Sequence, residues 1–130
     1  MTAPEPVAAM WAADAASRAL GIEVVEVAPG RAEVRMTVRA DMLNGYATAH
    51  GGILAALGDS AFGLACNSHG GRTVAAGFDI SFVEPAHEGD VLVASAVERV
   101  RRGRSGIYDV TIRRDETVVV EFRGRSRTIG

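Results

Sequence analysis

Several things are scarce or missing in this 130-residue chain, and each absence removes a class of function. Lysine is absent: all 14 basic residues are arginine, set against 16 acidic ones, for a net charge of −2. That balance lacks the global basic excess a nucleic-acid partner would demand. Uniform arginine reads as biased codon usage, so arginine in place of lysine marks no site. Cys66 is the single cysteine, so no intrachain disulfide can form and a reducing compartment is compatible. No apolar run approaches the roughly 18 residues that span a bilayer. Glu5 and Asp14 stand near the N-terminus, where a signal peptide would carry a basic lead-in to an apolar core. These features predict a cytoplasmic protein with neither nucleic acid nor membrane as its partner. Catalytic signatures are sparse too. There is no G-x-S-x-G elbow, no phosphate loop and no dinucleotide fingerprint. His50, His69 and His87 are scattered and no second cysteine exists, so no metal-ligand spacing is present and no metal is expected.

What is present suits one compact domain over residues 1–130, with 48% hydrophobic residues to build a core. Residues 4–20 read as one helix, with Pro4 in its first turn, Gly21 as a stop, and Val7, Met10, Trp11 and Asp14 at helical spacing. The period then falls to two. Residues 22–28 and 31–39 predict strands around a Pro29–Gly30 turn, with Ala32, Val34, Met36 and Val38 on one face. Residues 42–49 have turn chemistry centred on Asn44–Gly45. Residues 51–68, rich in Ala and Leu and poor in β-branched residues, predict a buried helix closed by Gly70–Gly71. Strands over 73–83, 91–101, 106–114 and 117–127 follow, punctuated by Pro85, Gly89–Asp90, Gly103 and residues 114–116.

Helix, two strands, central helix, four strands: this order predicts an α+β hotdog fold, an antiparallel sheet wrapped around a long central helix, with an N-terminal helix. The central helix is apolar almost all round, which predicts enclosure by more than one sheet and hence a dimer.

One carboxylate, Asp59, interrupts that apolar helix. It reads either as a core acid satisfied by neighbours such as Ser60 or as a functional base or nucleophile. Mid-helix Asp is a poor helix former and is rarely buried without a partner, and Leu57, Gly58, Ala61 and Phe62 suit neither capping nor exposure. The functional reading is the stronger of the two. Gly51 and Gly52 open the same helix, where unpaired N–H groups can hold a carbonyl oxygen and the charge that develops on it. Alone, the pair reads as a turn. His50 precedes it, able to donate, to position a substrate or merely to cap; Asn44 alone is an ordinary turn residue. Together they place an amide, an imidazole, a helix start and an acid within 16 residues. Cys66 reads as a small hydrophobe. Arg99, Arg101, Arg102 and Arg104 cluster about Gly103 and are echoed by Arg123, Arg125 and Arg127, which reads equally as phosphate-binding or as solvated edge charge.

With these residues assembled, the chain resembles the hotdog thioesterases of the phenylacetic-acid-degradation (PaaI) family over nearly its whole length. The resemblance runs through Ala9-Met10 with Asp14, Leu20-Gly21-Ile22, Met36-Thr37-Val38, Met42-Leu43-Asn44-Gly45, His50-Gly51-Gly52, Asp59-Ser60-Ala61-Phe62, Ala65-Cys66-Asn67-Ser68, Tyr108-Asp109-Val110 and Phe122-Arg123-Gly124. It implies hydrolysis of an acyl-CoA, phenylacetyl-CoA or a ring-hydroxylated derivative, to the free acid and CoA in phenylacetate catabolism. No cofactor is implied, since CoA is part of the substrate. By resemblance Asp59 is the catalytic carboxylate, the Gly51 N–H polarises the carbonyl, and Asn44 and His50 line the reacting centre. Gly52, Gly77 and Phe78 border the substrate, and Arg101, Arg102, Gly103, Arg104, Ser105 and Gly106 hold the CoA nucleotide. Sites lie between subunits, and dimers pair into tetramers. One departure stands out: Gly77 occupies the strand position near which related enzymes often carry a hydroxyl. A hotdog acyl-CoA hydratase or dehydratase is a competing reading, disfavoured because Gly51-Gly52 follow His50. A non-catalytic acyl-CoA-binding module is another, disfavoured by Asp59.

Overall fold

The computed structural model describes residues 4–130. Strands β1 (Glu23–Ala28), β2 (Arg31–Thr37), β3 (Thr73–Phe82), β4 (Val91–Arg102), β5 (Ser105–Arg114) and β6 (Thr117–Thr128) form one sheet. All pairs are antiparallel, in the order β1-β2-β4-β5-β6-β3. The expected alternation holds where one face is covered: Ala32, Val34 and Met36 of β2, Leu92, Ala94 and Ala96 of β4, and Tyr108, Val110 and Ile112 of β5 are buried. The central helix, Gly51–Asn67, packs against that face and touches every strand. This is the hotdog architecture the patterning predicts.

Phe62 is the centre of the core. Its ring is fully buried and lies 5.7 Å from Tyr108 and 5.9 Å from Phe122, centroid to centroid, at tilted angles. Gly124 makes the seat: a Cβ there would stand 2.8 Å from the Phe62 ring, so only glycine lets the ring rest on β6. The Gly103–Arg104 turn joins β4 to β5, with Gly103 at φ +60°.

One expectation needs correction. The N-terminal segment is not one helix over 4–20 but two, α1 (Glu5–Ala12) and α2 (Ala15–Ala19), so the central helix is α3. Asp14 breaks the run. It caps α2, its carboxylate accepting from the Ser17 N–H at 3.0 Å and the Ser17 hydroxyl at 2.7 Å. Local capping thereby overrides the continuous helical spacing. Within one protomer the sheet covers α3 on one side: Gly52 and Asp59 are exposed, while Leu54, Leu57, Ala61, Phe62, Leu64 and Ala65 are buried. Strand and helix ends otherwise differ from expectation by one or two residues, as frayed termini do.

Candidate active site

The loop before α3 builds the first half of the site. Asn44 organises it: its side-chain oxygen accepts from the N–H groups of Tyr46 (2.9 Å) and Thr48 (3.2 Å), and its Nδ2 donates to Thr48 Oγ1 (3.0 Å). Its carbonyl oxygen is therefore spent on the turn, and only its amide nitrogen has donor capacity to spare. The His50 N–H donates to the Met42 carbonyl at 2.8 Å and fixes the helix start. His50 then caps α3, Nδ1 accepting from the Gly52 N–H at 3.0 Å. An accepting Nδ1 puts the proton of the neutral ring on Nε2. The His50 carbonyl takes the N–H groups of Ile53 and Leu54. Among the described residues this leaves the Gly51 N–H as the helix-start donor without a partner. Gly51 and Asn44 share a concavity of about 320 Å³ with Thr48, Leu54, Phe82 and Pro85. A Cβ on Gly51 would approach the Phe82 ring to 3.0 Å.

Asp59 lies elsewhere. It borders a separate cleft of about 470 Å³ between the N-terminal helices, α3 and the start of β3, lined by Met10, Trp11, Asp14, Ser17, Ser60 and Phe62 among others. The residue is exposed in one protomer, yet the protein packed about its carboxyl desolvates it and raises its pKa, and the nearby Asp14 carboxylate raises it further. Within one chain, then, the helix-start donor and the acid open onto different concavities. Asp14 and Ser17 line the Asp59 cleft, and the residue pattern named neither for the site; the Asp-x-x-Ser spacing at 14–17 announces only a cap.

Cys66 borders the same cleft but is no nucleophile: burial, reinforced by the Asp59 carboxylate, pushes its thiol up to about 12. We expect iodoacetamide at neutral pH to leave Cys66 unmodified in the folded protein and to alkylate it in denaturant. Mass spectrometry of the intact chain reads both states.

Gly77 and Phe78 sit on β3. Phe78 stacks on Phe122, with centroids 4.6 Å apart. A Cβ on Gly77 would lie 2.9 Å from an Arg125 guanidinium nitrogen, and Arg125 pairs with Asp79 at 3.1 Å. The strand position that lacks a hydroxyl is thus overlaid by arginine. The arginine cluster divides. Arg99 and Arg123 are both held by Asp109, at 2.7 Å each, and Arg123 above all keeps that carboxyl down at about 2. Arg101, Arg102 and Arg104 make no ion pair among the described residues. Arg101, Gly103 and Ser105 border a small concavity of about 210 Å³. Gly106 packs closely under Ser126. Among the described residues no three of His, Cys, Asp and Glu converge on a metal position. Among the described residues no helix is long and apolar enough to cross a membrane.

Residues 46–121, which contain Gly51 and Asp59, match the Thioesterase superfamily. The chain is 44% identical over 123 residues to the Acyl-coenzyme A thioesterase PaaI of Escherichia coli K12, covering 94% of this chain and 88% of that protein. The structure of the E. coli PaaI protein from the phenylacetic acid degradation operon superposes with a TM-score of 0.94 at 42% identity, over 97% of this chain and 92% of that one. A mutant of the phenylacetic acid degradation protein PaaI from Thermus thermophilus gives 0.85 at 39%, over 87% and 97%. The antiparallel sheet wrapped about a long central helix is the fold of these relatives, and the chain belongs to the PaaI family of the thioesterase superfamily.

Proposed function

We infer that this thioesterase acts on aryl-acyl-CoA, hydrolysing phenylacetyl-CoA or a ring-hydroxylated derivative to the free acid and CoA in phenylacetate catabolism. One observation carries the reading: α3 offers an unpaired N–H at Gly51 and a carboxylate of raised basicity at Asp59. The thioester oxygen would accept from the Gly51 N–H, at the positive end of the helix dipole. His50 Nε2–H and the spare Asn44 Nδ2–H would hold the carbonyl and thioester from the side. Asp59 would take a proton from water as its oxygen bonds to the carbonyl carbon. The C–S bond then breaks, the acid departs, and CoA leaves as the thiol after receiving the proton. Its elevated proton affinity suits Asp59 to this work as a base. Arg101, Arg102 and Arg104, uncommitted to carboxylates, suit the phosphates of CoA, with Gly103 and Ser105 on the concavity that Arg101 borders and Gly106 next along β5. Gly52, Gly77 and Phe78 border the substrate in this reading.

Gly51 and Asp59 are eight residues apart on one helix, about 12 Å along its axis, and open onto different concavities. One carbonyl cannot reach both, so the reading requires the donor of one protomer and the acid of another. The free edge of β3 supports this: Val74, Phe78 and Phe82 are exposed along it, whereas the opposite edge strand β1 carries Glu23 and Glu26. A second copy across β3, with such dimers pairing into tetramers, completes the site. We place the enzyme in the cytoplasm, with neither nucleic acid nor membrane as partner.

The test is release of free thiol from phenylacetyl-CoA by the purified protein, followed by a single turnover in oxygen-18 water. Label in phenylacetate and none in Asp59 supports a base; label in Asp59 makes it the nucleophile. If no acyl-CoA or aryl-CoA is cleaved, the binding-module reading replaces this one.

A further inference from the structure

The cleft beside Asp59 holds a second carboxylate with no part in the hydrolysis described above. Asp14 is anchored at both oxygens, Oδ1 accepting from the Ser17 N–H (3.0 Å) and Oδ2 from the Ser17 hydroxyl (2.7 Å). Ser17 is 4% exposed. Its Oγ also lies 2.7 Å from Ser60 Oγ, and Ser60 is the residue after Asp59. Ser17 has one hydroxyl proton, committed to Asp14, so Ser60 must donate to Ser17, sharing its proton with the Ala56 carbonyl at 2.9 Å. A chain of hydrogen bonds thus runs from Asp14 to the turn of α3 that carries Asp59.

We propose that Asp14, held by Ser17 and Ser60, is a positioning residue of the hydrolytic site, acting on Asp59 as a fixed second carboxylate across the cleft they share. The inference rests on Asp59 being the carboxylate that attacks or activates water. The groups facing that cleft are few. Helix α1 contributes Met10 and Trp11, and β3 contributes Thr73, Val74 and Ala75, none of which titrates. Helix α3 contributes Asp59 and Cys66, whose thiol stays protonated at neutral pH. Arg18 of α2 turns to the Ala12 carbonyl. Among the described residues no cation lines the cleft to offset the two acids. Two like charges in one partly desolvated space disfavour double ionisation, so Asp14 makes Asp59 hold a proton more strongly.

The residue that caps α2 can be changed without losing the cap, because Asn and Ser cap as well as Asp does. The experiment follows the Asp59 carboxyl by carbon-13 NMR through a pH titration, alongside the pH profile of kcat/KM for thioester hydrolysis. Asp14→Asn and Asp14→Ser should both move the Asp59 midpoint and the acid limb of the profile to lower pH. Below the wild-type limb the variants become the faster enzymes, while at the plateau they are slower, since a weaker base works there. Ser17→Ala, which frees the Asp14 carboxylate but keeps its charge, should shift both in the same direction by less. An unmoved Asp59 midpoint in folded Asp14 variants would overturn the proposal, leaving Asp14 as a helix cap alone. In the unmutated protein each carboxyl should respond at the other's midpoint, and independent titration would equally overturn it. Retained turnover in Asp59→Asn would instead sink the assignment of Asp59, while the carboxyl titrations still report on the coupling.

Discussion

Asp59→Asn should lower thioester turnover by about 10²- to 10⁴-fold, the range over which a positioned general base acts, and leave the fold intact. The amide is isosteric with the carboxylate, and the residue is exposed in the protomer, so no core contact is lost. Stability should move the other way. A carboxyl whose folded-state pKa is raised opposes folding once pH exceeds its unfolded value, and the opposition is full above the folded value. Removing the ionisable group should therefore raise the thermal midpoint at neutral pH and have no effect below about pH 3, where the carboxyl is protonated in both states. A dead variant that is also less stable at neutral pH would contradict this account. The between-subunit requirement has its own test in Gly51→Pro. Gly51 is the first residue of α3, where proline fits the helix, and His50 already has the extended backbone that precedes proline. The substitution deletes the one N–H at issue, with the exposed Phe82 ring left to give way. Each variant alone should be inactive. Refolded together, they should regain activity in mixed dimers, which hold one site with an intact donor and an intact acid. Activity absent from the mixture, with mixed dimers present by native mass spectrometry, would mean that each site is built within one chain.

Phe62→Ala should cost about 3–5 kcal/mol, in the range for emptying a buried aromatic site. Against a typical domain stability of about 5–15 kcal/mol, that is enough to leave much of the chain unfolded at 37 °C. Phe62 is fully buried, packs at tilted angles against Tyr108 and Phe122, and rests on the bare backbone of Gly124. The cavity cannot collapse easily, because the strand beneath is held by β5 and β3 on either side. The complementary change, Gly124→Ala, drives a Cβ into the same ring from below and should destabilise by overpacking, by about 1–3 kcal/mol. Thermal or urea unfolding of the two variants checks both values. A Phe62→Ala protein within about 1 kcal/mol of wild type would mean that Phe62 is not the centre of the core.

Much of this was legible in the residues. Period-two alternation in 31–37 and 91–97 gave strands with one covered face, because the sheet buries one side only. The Ala-rich segment from Gly51, without β-branched runs, could only be a helix. Where reading failed, a local interaction beat periodicity. At Asp14 the spacing of Met10 and Trp11 continued through the break, but a short acid followed by Ser17 satisfies helix-start donors better than it extends a helix. Gly77 invited a question about a missing hydroxyl; the arginine that overlies it comes from β6, forty-eight residues along the chain, and no local pattern announces it.

The sequence by itself determined the fold class and singled out Asp59 and the helix-start glycines as candidates, because each depends on residue type at short range. Only the tertiary structure decided where these groups face. It set Gly51 and Asp59 on different concavities, brought Asp14 to the cleft of Asp59, and left Arg101, Arg102 and Arg104 unpaired among the described residues while Asp109 took Arg99 and Arg123. The reason is that burial, desolvation and charge pairing arise between segments distant in the chain. They are properties of the sheet and helices closing on one another, and the spacing of residues along the chain does not carry them.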